Sequence, residues 1–184
     1  RLAALTQKIH TFEAEIVGDF PEYVYPTAAS LDLKTGAQVM FVRNDASPEK
    51  RYFNGKIGTI TRFTGTGIRI ACPGEAEEIA VEPTTWENIA YTLDPKTQEI
   101  TENKVGAFRQ YPLRLAWAIT IHKSQGLTFD RAIIDAQAAF AHGQVYVALS
   151  RCRTLEGLVL STPLSSTAIT TDATVQQFHR AMAQ

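Results

Sequence analysis

Two textures of apolar patterning meet at Pro112, and they call for different kinds of sheet. Upstream, short runs of strand formers alternate with polar residues and are broken by turn signals at a spacing of ~8–12 residues, the pattern of a small β-barrel. Ala37-Gln-Val-Met-Phe-Val-Arg43 is followed by the turn signals Asn44-Asp45 and Ser47-Pro48, and Asn54-Gly55 is a tight-turn dipeptide. Residues 56–63 alternate so that Ile57, Thr59, Thr61 and Phe63 share one face. The turn 64–67 leads to a strand over 68–71, residues 78–82 add another, and 86–93 with 98–108 predict a hairpin around Asp94-Pro95. Downstream of Pro112, residues 115–121 and 132–135 are nearly all apolar, as in strands buried on both faces. Residues 144–151 are apolar at helical spacing through Val145, Leu149 and Cys152. A further buried strand is expected over 157–161, and a closing helix over 172–182 with Asp172 as its cap. Strands alternating with helices predict an α/β sheet, with the β-rich middle inserted before it. Ahead of residue 31 the signal is thinner: an amphipathic start and a strand near 11–17.

A chain of 184 residues can bury a real core as one domain or two small ones. No apolar run approaches the ~20 residues that span a bilayer, and polar residues follow Arg1-Leu-Ala-Ala-Leu5 at once, unlike a secretory leader. These features predict a cytoplasmic protein with no membrane partner. A first residue other than Met points to a processed product or an excised piece. Cys72 and Cys152 have no partner at metal-ligand spacing, so two reduced thiols are the simple expectation; a disulfide between them stays open. No carboxylate or His cluster stands at ligand spacing, so no metal site and no independent metal-dependent nuclease is predicted.

The net charge of −1 excludes a molecule that is basic throughout, and any polyanion must be held by a local patch. Such a patch exists. Residues 34–69 hold seven cations against two acids, a net +5, whereas 72–102 hold one cation against eight acids, a net −7. Within the basic part, Arg43, Lys50, Arg51, Lys56 and Arg62 interleave with Tyr52, Phe53 and Phe63, the combination that holds single strands by charge and stacking. Phe53 and Phe63 could equally fill a barrel interior, and alternation places Phe63 inside with Ile57.

The chemistry concentrates in two later segments. Ala118-Ile-Thr-Ile-His-Lys-Ser-Gln-Gly126 gathers Thr120, His122, Lys123 and Ser124 at the end of an apolar run, where a turn or short helix opens free N–H groups toward an anion. Gly143-Gln-Val-Tyr-Val-Ala-Leu-Ser-Arg151 places Gln144, Val147, Ala148 and Arg151 on one helical stripe. An arginine there can reach a phosphate with a planar fork that keeps its charge at any working pH. Lys123-Ser124 is not the tail of a triphosphate-binding loop. That loop needs G-x-x-x-x-G-K-[ST], but His122 precedes Lys123 and position 118 is Ala; Gly55-Lys56 fails as well, because Ile57 follows.

Together the two segments resemble motifs V and VI of superfamily-one helicases of the Pif/RecD type. Leu33-Lys-Thr-Gly-Ala-Gln-Val-Met40 and Phe53-Asn-Gly-Lys-Ile-Gly58 are similar to the small SH3-like barrel that such helicases insert into their second RecA-like domain. The resemblance runs from about residue 31 to 161. It implies a partial RecA-like parallel sheet, with residues 1–33 and 112–184 in the second RecA-like domain and 34–111 as the inserted barrel. It implies that Thr120, His122, Lys123 and Ser124 line a single-stranded DNA track, joined by Lys56 and Arg62 of the barrel. Gln125, Gly126 and Gln144 would adjoin ATP, and Arg151 would be the catalytic finger on its γ-phosphate. Many relatives carry a carboxylate two residues after the motif V glycine; position 128 here is Thr, so no ribose-binding acid is carried over. ATP and Mg²⁺ would belong to the full-length enzyme, held mostly by an N-terminal RecA-like lobe that this chain lacks. The expected function is the C-terminal part of an ATP-dependent DNA helicase, 5′-to-3′ by family analogy and inactive alone. A DNA- or protein-docking module of helicase descent, and a subunit of a RecD-like exonuclease complex, remain the alternatives.

Overall fold

The structure is a computed structural model that describes residues 1–93, 100–136, 142–166, 169 and 171–182. The chain divides into two compact units, residues 1–117 and 118–184.

The first unit is built from antiparallel strands. Strand β1 (His10–Glu13) and β2 (Glu15–Gly18) replace the single strand expected near 11–17. They separate at Ala14 because they pair with different partners, β1 with β3 (Ser30–Leu33) and β2 with a later strand, β9. Then come β4 (Gln38–Phe41), β5 (Ile57–Thr64), β6 (Gly67–Ala71), β7 (Ile79–Val81), β8 (Thr84–Leu93), β9 (Ile100–Gln110) and β10 (Leu113–Leu115). The main sheet has five strands in the order β10-β4-β5-β6-β7, and β2-β9-β8 form a second sheet. Residues 34–111, expected as one small barrel, instead divide between the five-stranded sheet, which stands open with β10 and β7 at its edges, and strands β8 and β9 of the second sheet. The expected hairpin is β8–β9; its Asp94-Pro95 turn lies outside the described residues.

The core of this unit takes alternate residues of each strand, as period two requires: Leu33, Val39, Phe41, Ile60, Ile68, Ile70, Val81 and Leu113 are all essentially inaccessible. Strand β5 departs from simple alternation. Gly58 and Ile60 point inward, not Ile57 and Thr59, and Gly58 has no room for a side chain beside Ile70 and Cys72. The β5–β6 register shifts between Ile60 and Arg62. The extra residue reverses the alternation and returns Phe63 to the core side, its ring 4.0 Å from that of His10. Phe63 is therefore half-buried against the core, by way of a bulge that the pattern did not reveal.

The second unit holds a parallel pair, β11 (Ala132–Ile134) with β12 (Leu158–Leu160), the helix α1 (Gln144–Leu149) and the closing helix α2 (Ala173–Met182). Asp172 caps α2, its Oδ1 accepting from the Thr174 N–H at 2.7 Å. That bond and a longer one from Val175 hold its carboxyl below the usual carboxylate range. A small core joins Ile134, Ala136, Val145 and Ala148, with Ile121, Leu149, Leu158 and Leu164 against it. Two expectations fail here. The strand over 115–121 shrinks to β10 inside the first unit: Ala116 exchanges bonds with Gln38, and the chain then leaves the ladder. The parallel pair is not covered on both faces, since Ile133 is 72% and Val159 is 54% exposed. Among the described residues no helix is long and apolar enough to cross a membrane. Cys72 and Cys152 are free thiols, and burial pushes that of Cys72 up.

Candidate nucleic-acid and phosphate interface

The His122 cluster occupies a single 3₁₀ turn, His122–Ser124, that follows an irregular segment where a strand tip was expected. Thr120 organises this turn: its Oγ1 accepts from the Lys123 N–H at 3.3 Å and its carbonyl from the Ser124 N–H at 3.1 Å. His122 and Lys123 consequently face solvent, with Thr120 and Gln125 exposed beside them. Ser124 turns the other way. It is 6% exposed and donates its hydroxyl to the Ile121 carbonyl at 2.7 Å. Gly126 follows at φ +79°, a left-handed conformation in which a side chain would be strained. It reverses the chain so that the Leu127 N–H meets the Ser124 carbonyl at 3.0 Å.

The Arg151 segment begins with Gly143 at φ +72° and runs through α1, whose buried face is Val145 and Ala148. Gln144 and Val147 are half-buried. The helix ends at Leu149, so Arg151 lies just past it and not on the expected helical stripe. Its side chain still folds back along the helix. Nε donates to the Val147 carbonyl at 3.0 Å, one terminal nitrogen to the Leu127 carbonyl at 3.4 Å, and the other to Ser150 Oγ at 2.9 Å. A guanidinium has five N–H donors, so among the described residues one on each terminal nitrogen has no partner, the spacing that suits two oxygens of a phosphate.

The two segments are thus one hydrogen-bonded frame. Lys123 sits on the turn that ends at Gly126, the next residue supplies a carbonyl to Arg151, and the Phe129 N–H meets the Arg151 carbonyl at 2.8 Å. The Arg153 N–H closes the ladder on the Phe129 carbonyl, while its side chain pairs with Asp130 at 3.2 Å. Sequence reasoning missed Ser150 and Leu127 as supports of Arg151. Ser150 could have been suspected as its neighbour; a backbone carbonyl leaves no sequence signal.

The basic stretch of the first unit looks different once folded. Lys56 pairs with Glu75 and its side chain is 11% exposed; Arg62 pairs with Glu78 at 2.8 Å. Arg43 donates to the Thr84 hydroxyl and the Thr85 carbonyl, with its guanidinium 5.4 Å from the Trp86 ring centre. Asp45, whose side chain is 6% exposed, accepts from the Ser47 hydroxyl and the Ser47 and Arg51 N–H groups, and pairs with the Arg51 guanidinium at 3.2 Å. Burial raises its pKa, but these bonds together outweigh it and leave the carboxyl below its usual range. Tyr52 stacks on Phe41 and is partly buried, so Phe53, 56% exposed, is the ring of this loop that faces solvent. No group of three or more His, Cys, Asp or Glu that could hold a metal occurs among the described residues.

Against known proteins, a family described as the UvrD-like helicase C-terminal domain matches residues 115–159. The human ATP-dependent DNA helicase PIF1 is 38% identical over 86% of this chain and 24% of its own length. An unliganded Pif1 from Bacteroides sp. superimposes with a TM-score of 0.84 at 41% identity, covering 99% of this chain and 42% of that one. A Bacteroides Pif1 helicase solved in complex with ADP-AlF3 and ssDNA gives 0.78 at 42% identity, over 97% and 40% of the two chains. The chain spans about a quarter of the length of the curated relatives it matches. With the likeness extending over nearly the whole chain, it matches the C-terminal part of the Pif1-type superfamily-one helicases.

Proposed function

We propose that the chain is the nucleic-acid-contacting and phosphate-sensing part of an ATP-dependent DNA helicase. The observation that carries this reading is the shared frame of Lys123 and Arg151, in which the Gly126 reversal places the Leu127 carbonyl on the Arg151 guanidinium. A strand of DNA pressing on the exposed His122–Lys123 turn would move a segment directly bonded to the arginine, which links DNA occupancy to ATP chemistry. The Bacteroides relative solved with both ADP-AlF3 and ssDNA supports the same pairing of ligands.

In this reading His122, Lys123 and the Thr120 edge meet a single strand, and Ser124 acts from inside by holding the turn. Gln125, Gly126 and Gln144 border the nucleotide. Arg151 offers its two remaining N–H groups to the γ-phosphate, where a finger arginine contributes about 10³–10⁵ in turnover. Bound ATP with Mg²⁺ supplies the phosphoryl group and the neutralising charge; both are assigned to an N-terminal lobe, since this chain has no G-x-x-x-x-G-K-[ST] loop. The five-stranded sheet of the first unit is assigned as the inserted SH3-like barrel, and movement as 5′ to 3′, both by family analogy. The chain alone should not hydrolyse ATP, and Mg²⁺-dependent turnover by it would overturn that assignment.

The decisive substitution is Arg151→Ala in the full-length enzyme, with Arg151→Lys alongside to keep the charge and lose the fork. Turnover should fall by about 10³-fold or more while single-stranded DNA affinity stays within about twofold. Unchanged turnover would remove Arg151 from the reaction and point to Arg153.

A further inference from the structure

The opposite charges of residues 34–69 and 72–102 are brought together by one connection. Between β6 and β7, residues 72–78 carry Glu75, Glu77 and Glu78. A turn from the Cys72 carbonyl to the Glu75 N–H, with Gly74 at φ +81°, sets the direction of Glu75. Glu75 meets Lys56, whose ammonium also donates to the Arg51 carbonyl at 2.9 Å. Glu78 meets Arg62, which stands directly opposite Arg69 in the β5–β6 ladder. Two like charges in that register repel each other, and Glu78 offsets the repulsion.

We infer that this connection is a built-in competitor for phosphate: Glu75 and Glu78 hold Lys56 and Arg62 in the free protein, and the phosphates of a single nucleic-acid strand take their place on binding. This deepens the proposed function and rests on the sequence-based expectation that Lys56 and Arg62 join its single-stranded DNA track. The chemistry is an exchange of anions. A carboxylate and a phosphate oxygen satisfy the same ammonium or guanidinium donors; Arg62, with its side chain 64% exposed, is in the weak exposed class of ion pair, and at the mostly covered Lys56 it is the exposed Glu75 carboxylate that gives way. The exchange also filters ligands. One carboxylate-bearing or phosphate-bearing small molecule gains little from replacing a tethered acid, whereas a strand replaces both acids at once. Glu77 has no ion pair among the described residues and serves as an internal reference.

The test is titration of the 184-residue chain with a labelled oligothymidine over a series of salt concentrations. Glu75→Gln/Glu78→Gln should bind about 3- to 30-fold tighter than Glu77→Gln/Glu82→Gln, which removes the same charge without releasing a cation. The log–log salt slope should be nearly the same in the two variants, because the same phosphates end up neutralised, and should flatten by about 1.4 once both cations are removed, or about 0.7 for each. Adding Lys56→Ala/Arg62→Ala should cancel the gain, while that pair alone should weaken the unaltered chain only slightly. Equal affinities for the two glutamine variants would overturn the competitor. In that event Lys56→Ala/Arg62→Ala in the unaltered chain tells the two failures apart: a large loss keeps these cations as plain DNA contacts, and no loss removes them from the DNA surface altogether.

Discussion

The two units differ most in how they spend their apolar residues. Residues 1–117 enclose Phe41, Ile60, Ile68, Ile70 and Leu113 between antiparallel strands, all at 1% exposure or less. Among the described residues of 118–184, four core side chains are buried, while Ile133, Tyr146, Leu155 and Val159 are more than half exposed. Yet the second unit carries the recognisable motifs. Chemistry restricts residue identity at a site, whereas a core accepts many apolar combinations of the right volume. The motif-bearing unit is therefore the easier one to identify and the less well packed.

That contrast can be tested by stability. Phe41→Ala should cost about 3–5 kcal/mol, enough to unfold most of the first unit, read by denaturant titration. Val145→Ala removes less apolar surface and should cost about 1.5 kcal/mol, with loss confined to the second unit. Comparable costs would abolish the difference. Hydrogen exchange refines it: amides of Val39, Ile60 and Ile70 should exchange only through opening of the whole first unit, and those of Ile133 and Val159 through local opening.

Acid provides a smaller effect within the first unit. Because the folded-state pKa of Asp45 is depressed, its contribution is fully present above the usual carboxylate value near 3.8 and is lost as pH falls through the lower folded value. Protease sensitivity of residues 44–54 should rise in that acid window, and Asp45→Asn should show it already at neutral pH. A loop equally resistant in both would remove Asp45 as its organiser. Smallest of all, Ile133→Thr should change stability of the chain by no more than about 0.5 kcal/mol, since its side chain is largely in solvent.

Much of the architecture could be read directly. Strands β4 to β9 fall where alternation and turn residues place them, β11 and β12 match two of the apolar runs, and Asp172 caps α2 as expected. What escaped has a common cause. The bulge that turns Phe63 inward, the change of strand partner at Ala14 and the early end of β10 all depend on which strand lies alongside, and pairing partners leave no local pattern. The candidate site divides in the same way. Lys123 and Arg151 could be named from residue type and spacing, but not the inward turn of Ser124, nor the carbonyl of Leu127 on the guanidinium.

Residue order alone was sufficient for family, motif and charge asymmetry, because each is a property of neighbours along the chain. Folding decided what those charges meet. The seven cations of residues 34–69 suggested an open basic surface, but the antiparallel return through β6 and β7 sets Glu75 and Glu78 against Lys56 and Arg62. Coulomb interactions act through space at a few ångströms, so whether a cation is available to a ligand depends on contacts between residues far apart in sequence.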